Sequence, residues 1–200
     1  MELESCIRAR MSTRSFETRS ISQEILVEIL DSARYAPSPK NRQPWRFLVL
    51  RGDRKNDIVE DFLNKKGRIY KPEYLMKDEK YSEDTSFDII KQAPVLILVF
   101  NAYPSQKVLL SNNADFDLLN VQAIGAAIEH ILLRATDLGV RSLWLGDILS
   151  EEDFISSSYP NMGKLVAGIV LGYSNSPHKK TSRVAFSETV FDCKEIKKHG

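Results

Sequence analysis

The sequence predicts one domain in which helices and strands mix without regular alternation. Val95–Phe100 is an unbroken apolar run rich in β-branched residues, the pattern of a strand buried on both faces. Phe116–Leu138 places Ile124, Ile128, Ile131, Ala135 and Leu138 at helical spacing, the longest helical signal in the chain. The segments around these two do not follow the strict alternation of a doubly wound sheet. A length of 200 residues, 42% of them hydrophobic, is enough for a sizeable core, so residues 1–200 are read as a single domain.

The other elements follow in order. Leu3–Arg10 reads as a short helix. Ser22 caps a helix running to about Tyr35, with Glu24 well placed against its dipole and Ile25, Leu26, Ile29, Leu30 and Ala33 on one face. Phe47–Leu50 reads as a strand and Lys55–Asn64 as a helix. Asn64–Ser86 then changes character, crowded with charges yet carrying Tyr70, Tyr74 and Tyr81. It is read as an excursion from the core, either a substrate lid or a solvated surface segment. In the long helix, Gly125, Ala126 and Ala127 permit close approach of another backbone, and Gly139 ends it in the left-handed conformation. Ser142–Leu145 reads as a short strand, on which Trp144 is a core residue or a neighbour of a bound ligand. Ser150 and Asp153 resemble a capping box for a helix ending before Pro160. Val166–Gly172 is a second buried strand, and Val184–Phe191 an extended or weakly helical tail.

Composition excludes several classes. A net charge of +1 argues against broad binding to nucleic acid or acidic membranes, and neither partner is expected. The longest apolar run, Pro94–Phe100, is far short of the ~20 residues a bilayer requires. The N-terminus lacks the apolar stretch of a signal peptide, and only Cys6 and Cys193 are cysteines, so a cytoplasmic protein is expected. His130, His178 and His199 are scattered, and His130 reads as a structural histidine within the long helix. No residues fall at metal-ligand spacing, and none stands out as a nucleophile or proton relay.

The chemistry lies in three polar clusters. Ala36–Trp45, APSPKNRQPW, is a rigid, non-helical loop: Pro37, Pro39 and Pro44 fix φ, and Ser38, Asn41 and Gln43 point outward. Arg10–Phe16, RMSTRSF, sets Arg10, Ser12 and Arg14 at alternate positions, hence on one face of an extended segment. Gly168–Arg183, GIVLGYSNSPHKKTSR, brings hydroxyls and basic groups near the C-terminus. Two clusters rich in cations and hydroxyls, distant in sequence, suit a phosphate-bearing ligand.

Together these residues resemble the FMN-dependent nitroreductase family over roughly residues 3–63 and 88–191. The resemblance implies an α+β fold, a mixed central sheet flanked by helices on both sides, in an intertwined homodimer whose C-terminal tail reaches the other subunit. It implies FMN as cofactor and NADH or NADPH as electron donor. Arg10 and Ser12 would reach the phosphate and ribityl chain, and Arg14 the pyrimidine edge. Met11 stands where the family often has a second basic residue, and its backbone contact survives. Pro37, Ser38, Pro39 and Asn41 would come from the second subunit, around the flavin ring and ribityl chain, so that active sites are shared. Backbone N–H groups of Leu145 and Gly146 would face the central redox nitrogen of the ring. Arg183, with Lys180 as a weaker candidate, would reach the phosphate. The implied activity is ping-pong reduction of electron-poor acceptors such as nitroaromatics and quinones, with no catalytic side chain. A specialised flavoenzyme on the same fold (dehalogenase, ring-cleaving enzyme or dehydrogenase) and a non-catalytic flavin-binding protein are the alternatives.

Overall fold

A computed structural model describes residues 1–65, 86–104, 113–177 and 181–190 of the chain. Tyr70, Tyr74 and Tyr81 of the charged excursion lie outside them, as do Lys180, His178, His199 and Cys193. The helices are α1 (Leu3–Ala9), α2 (Gln23–Ala33), α3 (Gly52–Lys65), α4 (Ser86–Gln92), α5 (Asn113–Asp137) and α6 (Glu152–Ser158). The strands are β1 (Trp45–Arg51), β2 (Val95–Asn101), β3 (Arg141–Leu145) and β4 (Lys164–Gly172).

The four strands form one sheet in the order β1-β2-β4-β3, each pair antiparallel. Every residue of β2 is buried. Side chains alternate along a strand, so Val95, Ile97 and Val99 enter one core while Leu96, Leu98 and Phe100 enter another. The first core is closed by α2 and α5 through Leu26, Ile29, Ile124, Ile128 and Ile131. The second takes Ile58 of α3, Ile89 and Ile90 of α4, and Ile155 of α6. Helices therefore cover both faces, in the α+β arrangement. A register shift between Val99 and Phe100 pairs Phe100 with Leu165 and keeps both in the second core. No helix among the described residues is long and apolar enough to cross a membrane.

Several local expectations hold. The Ser22 hydroxyl accepts the Ile25 amide at 3.3 Å and caps α2. Gly139, at φ 72°, ends α5. His130 is structural, its Nδ1 lying 3.1 Å from the Ser32 carbonyl. Cys6 is a buried free thiol.

Others are corrected. Ser150 caps nothing. Its hydroxyl donates to the Asp147 carbonyl at 2.9 Å inside a 3-10 turn, Asp147–Glu151, which precedes α6. Local hydroxyl-to-carbonyl bonding won over capping. The Pro-rich loop is not free of helix, because Pro39–Asn41 makes one 3-10 turn. Gln43 is exposed, but the Ser38 hydroxyl turns inward to accept its amide at 3.0 Å. Trp144 is not core: it is 43% exposed, on the α5 side of the edge strand β3. Its ring, not a backbone, approaches Gly125. The tail turns once at Phe186–Glu188 and is exposed through residue 190.

One buried charge ties the second core together. Lys55 of α3 is 4% exposed and donates to the carbonyls of Ile90 (2.9 Å), Lys91 (2.9 Å) and Ala93 (2.5 Å) at the end of α4. Burial pulls this ammonium below its ordinary range. A cation at a helix C-terminus also meets the negative end of the dipole. Lys55→Met should cost about 2 kcal/mol, since orphaned carbonyls outweigh the relief of desolvation. Urea denaturation measures it; an unchanged midpoint would show that the carbonyls find other donors.

Candidate functional site: a cationic groove at the sheet edge

The groove is built where the chain leaves α1. The Arg10 amide donates to Cys6 O at 2.9 Å, and the backbone then turns extended. Ser12 bridges Ser142 in parallel along the open edge of β3, and the Thr13 amide donates to Ser142 O at 2.9 Å. This segment adds the one parallel pairing to an otherwise antiparallel sheet among the described residues. Alternation then turns Thr13 inward, 2% exposed, and leaves Ser12 and Arg14 exposed. The opposite wall comes from the chain beyond β4. Ser176, Pro177, Thr181 and Arg183 line it, with Arg183 Nη1 donating to Thr181 Oγ1 at 2.9 Å. Between the walls is an open groove of about 1380 Å³.

The electrostatics favour an anion. Arg8, on the groove wall, is neutralised by Glu4 at 2.7 Å. Arg10, Arg14 and Arg183 are in no ion pair among the described residues. Glu129 of α5 is the acid that senses Arg10. Burial raises its carboxyl above the usual range, while Arg10 and His130 pull it back. The Thr13 hydroxyl is buried without a partner beside the groove.

Of the residues expected to bind a cofactor, the structure brings Arg10, Met11, Ser12, Arg14 and Arg183 into this groove. It does not bring Pro37, Ser38, Pro39 or Asn41, nor Leu145 or Gly146. Leu145 sends its side chain into the second core. Gly146 is exposed, and a β-carbon there would meet nothing within 4 Å. It lies four residues beyond Ser142, about 13 Å along the strand direction. Sequence reasoning missed Ser15, Ser176 and Thr181. Thr181 carried a usable signal, since a hydroxyl two residues from Arg183 in an extended segment shares its face.

At the edge of an α+β sheet, the groove thus gathers several hydroxyls and three guanidinium groups, Arg10, Arg14 and Arg183, that are in no ion pair among the described residues. The chain belongs to the nitroreductase family, whose model matches residues 7–173. It is 33% identical over 159 residues to a protein of Archaeoglobus fulgidus assigned provisionally as NADH dehydrogenase/NAD(P)H nitroreductase, covering 75% of this chain and 72% of that one. It is 26% identical to the 4-nitrobenzoate reductase of a Nocardioides species, over 92% of this chain and 85% of that one. Among solved structures, a provisionally assigned nitroreductase of Desulfovibrio desulfuricans in complex with FMN superposes with TM-score 0.72 at 26% identity, over 96% of each chain. The FMN-dependent nitroreductase NfnB of Mycobacterium smegmatis, in complex with NADPH, shares the fold at TM-score 0.74 and 17% identity, over 94% of this chain and 96% of that one.

Proposed function

We propose that this chain is an FMN-dependent NAD(P)H oxidoreductase that reduces electron-poor acceptors. The observation that carries the reading is the meeting of Arg10, Ser12 and Arg14 with Arg183 across one groove. Three guanidinium groups and several hydroxyls suit a phosphate dianion in number and kind. FMN, when bound, supplies the relay of a hydride from NAD(P)H to a second substrate.

The protein's own residues bind and orient. Arg10 and Arg183 would hold the phosphate, Ser12 and Thr181 would add hydroxyl contacts, and Arg14 would serve the polar edge of the ring. The open space over Gly146 would leave room for the ring, and the Leu145 and Gly146 amides would orient it. For a quinone, NAD(P)H and a proton give the hydroquinone and NAD(P)+. For a nitro compound, NAD(P)H and a proton are consumed, an N–O bond breaks, and the nitroso product, water and NAD(P)+ result.

The site is shared between two copies of the chain in this reading. Pro37–Asn41 does not reach the groove of its own chain, which supports its use by a second one. The exposed apolar residues Leu118, Val121, Trp144 and Leu149, with Val184, Phe186 and Val190 of the tail, give such a dimer a surface to bury. The purified protein should be yellow, bleach anaerobically with NADH or NADPH, and scatter light at twice the chain mass. A colourless protein that takes up no added FMN would sink the reading, and a monomer that binds FMN one-to-one would sink the shared site. A panel of quinones and nitroaromatics separates it from the activities named for two other relatives, a 5,6-dimethylbenzimidazole synthase and an iodotyrosine deiodinase.

A further inference from the structure

The loop Ser38–Gln43 carries strain that a simple connection does not need. Lys40 (φ 52°), Asn41 (φ 54°) and Gln43 (φ 49°) all occupy the left-handed region without being glycine. The Ser38 carbonyl and hydroxyl hold the conformation by accepting the Asn41 and Gln43 amides, both at 3.0 Å. The result puts two cations, Lys40 and Arg42, on the surface. Neither is in an ion pair with an acid among the described residues.

Beside them stands an aromatic ring fixed with unusual care. Tyr103 is 44% exposed, yet two buried asparagines, each 2% exposed, hold its backbone. Asn101 Oδ1 accepts the Tyr103 amide at 3.0 Å, and Asn120 Nδ2 donates to its carbonyl at 3.2 Å. The Arg42 guanidinium lies over the Tyr103 ring, 4.6 Å from its centroid. The Ala102 amide donates to the Pro44 carbonyl at 2.7 Å and joins the two segments. A cation is thus set on an exposed ring, with a second cation two residues away, and no carboxylate among the described residues answers either.

We propose that Lys40, Arg42 and Tyr103 recognise a planar aromatic acceptor that carries a carboxylate, and so determine acceptor specificity. This rests on the functional reading above, in which the same loop lies against the cofactor of a second copy. Arg42 and Tyr103 give a flat surface for an aromatic body, and Lys40 is the mobile point charge that meets the anion.

The test compares 4-nitrobenzoate with its neutral analogue 4-nitrobenzamide, using the FMN-loaded protein and saturating NADH. Wild type should show the higher kcat/KM for the anion, by about tenfold, and the advantage should fall as salt rises. Lys40→Asn removes the charge and tolerates the left-handed backbone. It should raise KM for 4-nitrobenzoate about tenfold while leaving 4-nitrobenzamide within about twofold. Lys40→Arg should restore the preference, and Arg42→Gln should weaken it. Flavin retention in each variant confirms folding. Equal kcat/KM for the two acceptors in a flavin-loaded, active wild type overturns this proposal alone. Failure of wild type to bind FMN or oxidise NADH overturns the underlying function with it. A variant effect on KM for NADPH without a change in the acceptor ratio assigns the cations to the donor's phosphate and also overturns the proposal.

Discussion

Changing Arg10 and Arg14 together to alanine is expected to weaken FMN binding by about a thousandfold, enough to lose the flavin on gel filtration. Both side chains line the groove, and neither is in an ion pair among the described residues. Each supplies a charge-assisted contact worth about ten- to a hundredfold, and the two act on one ligand, so their effects are not simply additive. Arg183→Ala alone should cost about thirtyfold. Arg8→Ala is the control. That guanidinium lines the same groove but is already paired with Glu4. Its loss should change affinity by no more than about threefold, the size of a weak surface ion pair. Titration of flavin-free protein, followed by quenching of FMN fluorescence, gives the constants. Wild-type affinity in the double variant, with an unchanged apoprotein melting curve, would remove the phosphate from this groove.

The parts of this molecule that were legible in sequence are those decided within one element. Val95–Phe100 could be read as buried on both faces because every residue of the run is apolar, whichever way alternation points it. The α2 cap could be read because Ser22 and Ile25 are three residues apart. Trp144 could not, because its exposure depends on what covers the outer side of an edge strand, which lies elsewhere. Ser150 failed for the opposite reason. Two local hydrogen-bonding solutions compete there, and sequence does not rank them.

The site divides in the same way. Arg10, Ser12 and Arg14 share a face by alternation, which sequence shows. Their meeting with Arg183 needs two long-range facts, the docking of Ser12 on Ser142 and the exit of the chain from β4. Family resemblance supplied that meeting; periodicity does not contain it. The left-handed backbone at Lys40 and Gln43 carries no sequence signal, since neither is glycine, asparagine or aspartate. Resemblance to the family drew attention to Pro39 and Asn41 and passed over Lys40 between them.

Gly163→Ala is expected to destabilise the protein by more than about 3 kcal/mol, a loss reserved for changes that cannot be absorbed by a side chain. Gly163 sits at φ 99°, where an L side chain is strained. The space is also closed. A β-carbon would run into the Asn101 carbonyl oxygen, 2.9 Å from Asn101 C and 3.0 Å from Ala102 Cα. All three are backbone atoms at the end of β2, where Asn101 pairs with Lys164 of β4. Relief therefore requires the two central strands to part. Gly139→Ala isolates the conformational cost, because Gly139 has φ 72° and a β-carbon there would meet nothing within 4 Å. That change should cost only about 1 kcal/mol. Urea midpoints of the two variants decide the matter. Equal losses would show that the sheet end yields easily, and that the clash contributes little. The displacement also has a direction. Ala102 is bonded to Pro44, and Asn101 holds the Tyr103 amide, so parting the strands moves the Arg42–Tyr103 pair. Where Gly163→Ala still folds, its preference for 4-nitrobenzoate over 4-nitrobenzamide should fall below that of wild type.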